Sequence, residues 1–244
     1  MAGITKQRRI KAAAMNQPFN VIALQISVWL LPILIAVTFH EAAHGFVAYL
    51  LGDDTAWRLG RVSFNPFKHI DPFGTVVLPV LLLLARSPFL FGYAKPVPVN
   101  FRALRHPRRD TILVAAAGPA INLVLATLSA AAFHLIDYAP DMVGQFIADN
   151  LRNSLILNVV LAVFNLIPLP PLDGGRILVG LLPQALARPF SRIEPYGLVL
   201  LIALLIVLPL LGAQLGLNLD IISQIVTRSA RAIIAVILQV TANG

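Results

Sequence analysis

A chain of 244 residues that is 58% hydrophobic and only 12% charged, with a mean hydropathy of +0.81, is too apolar for a soluble globular domain and suits one domain in a bilayer. The absence of cysteine excludes disulfides and thiolate metal sites, so any transition metal must be held by His, Asp or Glu. The net charge of +8 sits in short loops between apolar runs, which points to anionic membrane lipid as its partner rather than to nucleic acid.

Residues 1–18 form a basic N-terminal arm carrying Lys6, Arg8, Arg9 and Lys11, and residues 19–244 form the membrane domain. Phe19 to Gly52 is one long apolar stretch, long enough to cross roughly 30 Å of hydrocarbon at 1.5 Å per residue. Leu59 to Pro72, rich in Pro, Asn and charge, reads as loop. Gly74 to Ala85 is apolar but short for a span, and is expected to enter the membrane without crossing it. Gly92 to Asp110 is the most basic loop, and its "KPVPVN" is extended because each proline biases the residue before it away from helix. Thr111 to Ile136 spans, Asp137 to Asn150 is an acidic loop, and Asn153 to Leu169 spans again until three prolines stop it. Gly197 to Leu217 is a further span. Ile221 to Val240 either packs in the bundle with its arginines toward protein or water or lies in the interface, because Arg228 and Arg231 share one face. The expected fold is all-α: a polytopic helix bundle with a re-entrant or extended segment between the first and second core helices.

Within the first span stands "TFHEAAHGF", Thr38 to Phe46. Residues i and i+4 stack on one helix face, so His40 and His44 can reach a single cation. Glu41, one of only two glutamates in the chain, lies about 100° round from His40. From there it can take a proton from a metal-activated water without occupying a coordination position. A random H-E-x-x-H is expected in roughly one such chain in a thousand. Each ionisable group in a span also costs about 2.5–3.5 kcal/mol.

Catalytic zinc usually takes three protein ligands. The candidates for the third are Asp173, Asp71, His69, Asp53 and Asp54. The last two follow the helix end, where water is expected, and His69 and Asp71 lie in a loop with interfacial signals. Asp173 follows a full span and a proline-broken segment, where irregular backbone must face protein or a watery cavity.

"HEAAH" in a membrane helix, "GPAIN" (Gly118 to Asn122) and "NLIPLPPLDGG" (Asn165 to Gly175) together resemble the site-2 protease family of intramembrane zinc metalloproteases. "GRVSFNPFKHIDPFGT" and "FGYAKPVPVN" are similar to its short bacterial branch, which lacks PDZ and CBS domains. The resemblance implies that His40, His44 and Asp173 bind Zn2+ and that Glu41 is the catalytic base. It also implies that Asn122 and Asn165 are polar groups near the site, holding substrate backbone or the oxyanion. The expected substrates are single-span transmembrane proteins, cut within or near the membrane by a multi-pass protein of the cell membrane. Non-cutting capture of a partner helix and metal transport are the competing functions. Transport would spread ionisable groups along several spans, whereas here they cluster at one depth. The stretch around Tyr93 to Asn100 is expected to receive unwound substrate by edge pairing. Meeting of the ligands requires the first span to run toward the same side as the Asn153 span. That side carries the basic loop and is expected to be cytoplasmic, which leaves the basic arm outside against the usual charge bias.

Overall fold

The computed structural model describes residues 2–77, 80–81 and 94–242. Helix α1 (Ala2–Leu50) runs unbroken back through the basic arm, and its apolar part from Ile26 to Leu50 is long enough to cross a membrane. Helix α2 (Pro107–Ala132) and helix α3 (Asp141–Asn165) follow, then the short α4 (Asp173–Leu181) and α5 (Gln184–Ser191). Next come α6 (Gly197–Ile202) and α7 (Leu208–Gln214), joined by a π-helical turn, and finally α8 (Ile221–Val240). Five helical stretches are apolar enough to span, and there is no strand among the described residues. The chain is a polytopic helical bundle.

Helix α2 is the centre, packed against α1, α3 and α4. Hydrocarbon provides no hydrophobic drive between helices in a bilayer, so close packing of small residues has to hold them. Ala36 and Ala48 of α1, Ala126 and Ala130 of α2 and Ala162 of α3 are accordingly completely buried. Large side chains such as Leu30, Ile33, Leu128 and Val143 instead point outward, as lipid-facing residues should. Helix α8 joins the bundle through Ala230 and Ile237 against Ala126, Ala130, Leu155 and Val159. It therefore packs on the bundle, with Arg228 and Arg231 exposed and not turned toward protein.

Two boundaries differ from the sequence reading. The acidic loop shrinks, because α3 begins at Asp141, directly after Pro140. A proline before the first turn and an acid at the helix N-terminus are favourable starts, which the acidic composition disguised as loop. The span expected from Gly197 is preceded by α5, so its apolar stretch opens at Gln184. Half of Gly74 to Ala85 lies outside the described residues. Its described start forms a π-helical turn, Pro72–Val77.

The flanks of that segment meet at one end of the bundle. Lys95 N–H donates to His69 C=O at 2.9 Å, and Arg105 N–H donates to Leu51 C=O at 3.0 Å. The chain therefore returns to α2 on the side where α1 ended. Cysteines placed at the exposed Leu59 and Asn100 should label from the same side of sealed vesicles, with no native cysteine to confuse the result. Labelling from opposite faces would break this topology.

Candidate metal centre

His40 and His44 lie ten and six residues before the end of α1 at Leu50, about 15 and 9 Å inside that end. Asp173 reaches them from the start of α4, and its position has three local causes. The prolines after Asn165 turn the chain back once α3 has ended. Gly174 and Gly175 let the first turn of α4 press on residues 166–170, since a Cβ at Gly174 would fall 2.3 Å from Leu166 O and one at Gly175 2.5 Å from Pro170 N. The Arg108 side chain of α2 then caps the far end of α4 by donating to Gly180 C=O at 2.9 Å and to the carbonyls of Leu181 and Leu182.

The three side chains are buried and their donor atoms form a compact triangle. His40 Nε2 and His44 Nε2 are 3.1 Å apart, and Asp173 Oδ2 lies 3.2 Å from the first and 3.4 Å from the second. Tetrahedral ligands at 2.0–2.1 Å from zinc stand about 3.3 Å from one another.

The hydrogen bonds behind the triangle fix the tautomers. His44 Nδ1 lies 2.7 Å from Val114 C=O, which only accepts, so Nδ1 must carry the proton. His40 Nδ1 lies 2.6 Å from Asn122 Oδ1. The orientation of Asn122 follows from its Nδ2, which donates to Ala36 C=O at 3.2 Å and to Asn158 Oδ1 at 2.7 Å. Asn158 is oriented in turn by donating to Ser154 C=O at 2.9 Å. Both imidazoles thus carry their proton on Nδ1 and aim a bare Nε2 inward. In the neutral rings that bind a metal, no hydrogen lies between the two Nε2 atoms.

Two nitrogen lone pairs and a buried carboxylate oxygen without a hydrogen-bond partner therefore face one point. An extra proton would relieve one edge of the triangle, whereas a cation relieves all three. The donor set of two imidazoles and a carboxylate suits zinc.

Glu41 stands beside the triangle. Its Oε2 accepts the Val97 amide at 2.8 Å, and Oε1 has no hydrogen-bond partner among the described residues. The other candidates for the third ligand are engaged elsewhere. Asp53 Oδ2 accepts from Asn100 N–H at 2.6 Å, and Asp54 pairs with Arg58 at 2.6 Å. Asp71 caps the amides of Phe73 and Gly74, and His69 Nε2 donates to Ser63 C=O at 2.8 Å. Asn165 donates to Leu161 C=O of its own helix at 3.0 Å. Of the stretch Tyr93 to Asn100 expected to receive substrate, residues 94–100 are described; the amides of Lys95, Val97 and Asn100 are already taken, and Pro96 and Pro98 have none.

Sequence reasoning missed Asn158 and the part played by Gly118. A Cβ at Gly118 would stand 2.5 Å from His40 Cε1 and from His44 Nε2, so only glycine lets α2 back the imidazoles this closely. "GPAIN" held the signal for Gly118 without its reason, and Asn158 gave none.

The family model described as Peptidase family M50 matches residues 144–208, a stretch that includes Asp173. A Bacillus subtilis protein named "Putative zinc metalloprotease YwhC" is 42% identical over 178 residues, covering 71% of this chain and 78% of that protein. The chain belongs to peptidase family M50. The Rip2 protein of Mycobacterium tuberculosis, which carries the same description, is 30% identical over 183 residues, covering 75% of this chain and 68% of its own. No solved structure matches the chain. As an M50 member it is a zinc metalloprotease, in agreement with the site-2 protease resemblance of its motifs.

Removing a partner that orients a metal-binding imidazole typically weakens metal affinity about 10–100-fold. Asn122→Ala should lower zinc affinity by that much in chelator competition. Gly118→Ala should deplete zinc in the purified protein, read by metal analysis, because the added methyl displaces both imidazoles.

Proposed function

We propose that this M50 protease hydrolyses peptide bonds within or near the transmembrane segment of single-span membrane proteins, in the cell membrane. In this reading His40, His44 and Asp173 hold the zinc and Glu41 moves the proton. The observation that carries it is depth. The donor triangle sits on a spanning helix about 9–15 Å inside its end, so a scissile bond has to come into the membrane domain to meet it.

When bound, zinc supplies a Lewis acid that polarises the scissile carbonyl and acidifies the attacking water. Asn122 and Val114 keep both Nε2 atoms directed at one point. Glu41, held at Oε2 by the Val97 amide, keeps Oε1 for the proton of the attacking water and passes it to the departing amine. Both amide hydrogens of Asn122 are committed, which suits it to orienting His40. Asn165 keeps one uncommitted amide hydrogen and is the better placed of the two asparagines to donate to substrate. A substrate helix satisfies its own carbonyls, so it must unwind locally before cleavage, and helix-breaking residues near the bond should favour it.

Two measurements test this. His44→Ala and Asp173→Ala should each lose bound zinc, and full retention in Asp173→Ala would move the third ligand elsewhere. Glu41→Gln should fold and keep its zinc while cleavage of candidate single-span proteins, followed by mass spectrometry of the products, falls about 10²–10⁴-fold. Cleavage at the wild-type rate would remove Glu41 from the mechanism.

A further inference from the structure

The contact that holds Glu41 comes from a segment unable to hold itself in place. In residues 95–98, Pro96 and Pro98 have no amide to donate, and their rings keep the backbone extended. Side chains of distant residues fasten the segment instead. On one flank of Val97, Arg61 donates to Lys95 C=O at 2.9 Å and to Pro96 C=O at 3.3 Å. On the other, Asp53 Oδ2 accepts the Asn100 amide at 2.6 Å. Between them the Val97 side chain is buried over Gly45, where a Cβ would lie 2.9 Å from Val97 Cγ1. Gly45 is four residues after Glu41 and so on the same face of α1. That seating brings the Val97 amide to Glu41.

We propose that Asp53 and Arg61 are positioning residues for the proton-transferring carboxylate, acting through the segment 95–100 and the Val97 amide. The inference rests on the reading of Glu41 as general base. Asp53 is fully buried, and its Oδ1 accepts the Thr55 amide at 3.0 Å in the turn that follows α1. A turn cap needs no more than that bond. The bond to Asn100, 47 residues away, has the separate effect of setting the segment's position. Arg61 plays no part in that turn cap, yet it grips the same segment from the other side.

The test uses the full-length, zinc-loaded protein in nanodiscs, with variants Asp53→Ala, Arg61→Gln and Arg61→Lys. Hydrogen exchange of the peptide containing Val97 should speed up about tenfold or more in Asp53→Ala and Arg61→Gln, with zinc content unchanged. The lysine variant, which keeps a charged donor but on a shorter stem without the planar guanidinium, should fall between them and wild type. With the single-span substrate whose cleavage Glu41→Gln abolishes or slows, both variants should lower kcat about tenfold or more and leave KM within about twofold. In a Glu41→Gln background the same substitutions should leave the residual rate unchanged, since no base remains to be positioned. Unaltered exchange at Val97 would overturn the proposal, as would an equal loss of rate in both backgrounds. If Asp53→Ala loses zinc or fails to fold, the two Arg61 variants decide the matter by the same criteria. Wild-type cleavage by Glu41→Gln would instead refute the general-base reading, while the exchange result would still report whether Asp53 and Arg61 hold the segment.

Discussion

Three electron-pair donors that repel one another are brought within 3.4 Å in a region of low polarity, and the surrounding structure is arranged to keep them there. Each imidazole is fixed by a bond on its far nitrogen, one to a backbone carbonyl and one to an amide that is itself pinned by a carbonyl. Rotation of either ring would break a buried hydrogen bond at a cost of about 1–3 kcal/mol. These rigid partners hold the three donor atoms in place for a cation. The absence of a methyl group at Gly118 and the capping of α4 by Arg108 serve the same end, since both set the distance between helices that carry the donors.

The two halves of the centre are held by different means. The imidazoles come from the middle of a long helix and inherit its regular spacing. The carboxylate comes from a chain reversal, where regularity has been removed by prolines and close approach has been made possible by glycines. Glu41 is held by a third kind of element, an extended stretch with neither helix nor ladder to define it. A rigid helix face, a compact reversal and a tethered strand-like segment meet at one point, and each has its own set of fastenings.

What was legible in the sequence follows from this division. His40, Glu41 and His44 are related by local helical spacing, so five consecutive residues are enough to read them. Asp173 could be singled out because the prolines and glycines around it are local punctuation. Asp53 was assigned to water beyond the helix end, yet it is fully buried, because its decisive partner Asn100 lies far along the chain. His69 lies in a loop with interfacial signals, yet the fold encloses it and its Nε2 donates to Ser63 C=O. Asn158 has no local signature at all, and its importance exists only once α2 and α3 are side by side. The onset of α3 was hidden by its acids, which resemble a loop in composition while being well suited to a helix start.

The hydrogen bonds from Ser129 through Ser154, Asn158 and Asn122 to His40 form an unbroken polar seam across α2, α3 and α1. Such a seam makes the centre and the bundle a single thermodynamic system. Metal that binds only the assembled helices stabilises them by an amount that grows with its free concentration, reaching about 4 kcal/mol at a thousand times its dissociation constant. A newly inserted chain still lacking its ion would then have looser contacts among these three helices than a loaded one. Metal supply thereby sets how firmly these three helices hold together, and the seam carries that effect from the centre into the bundle.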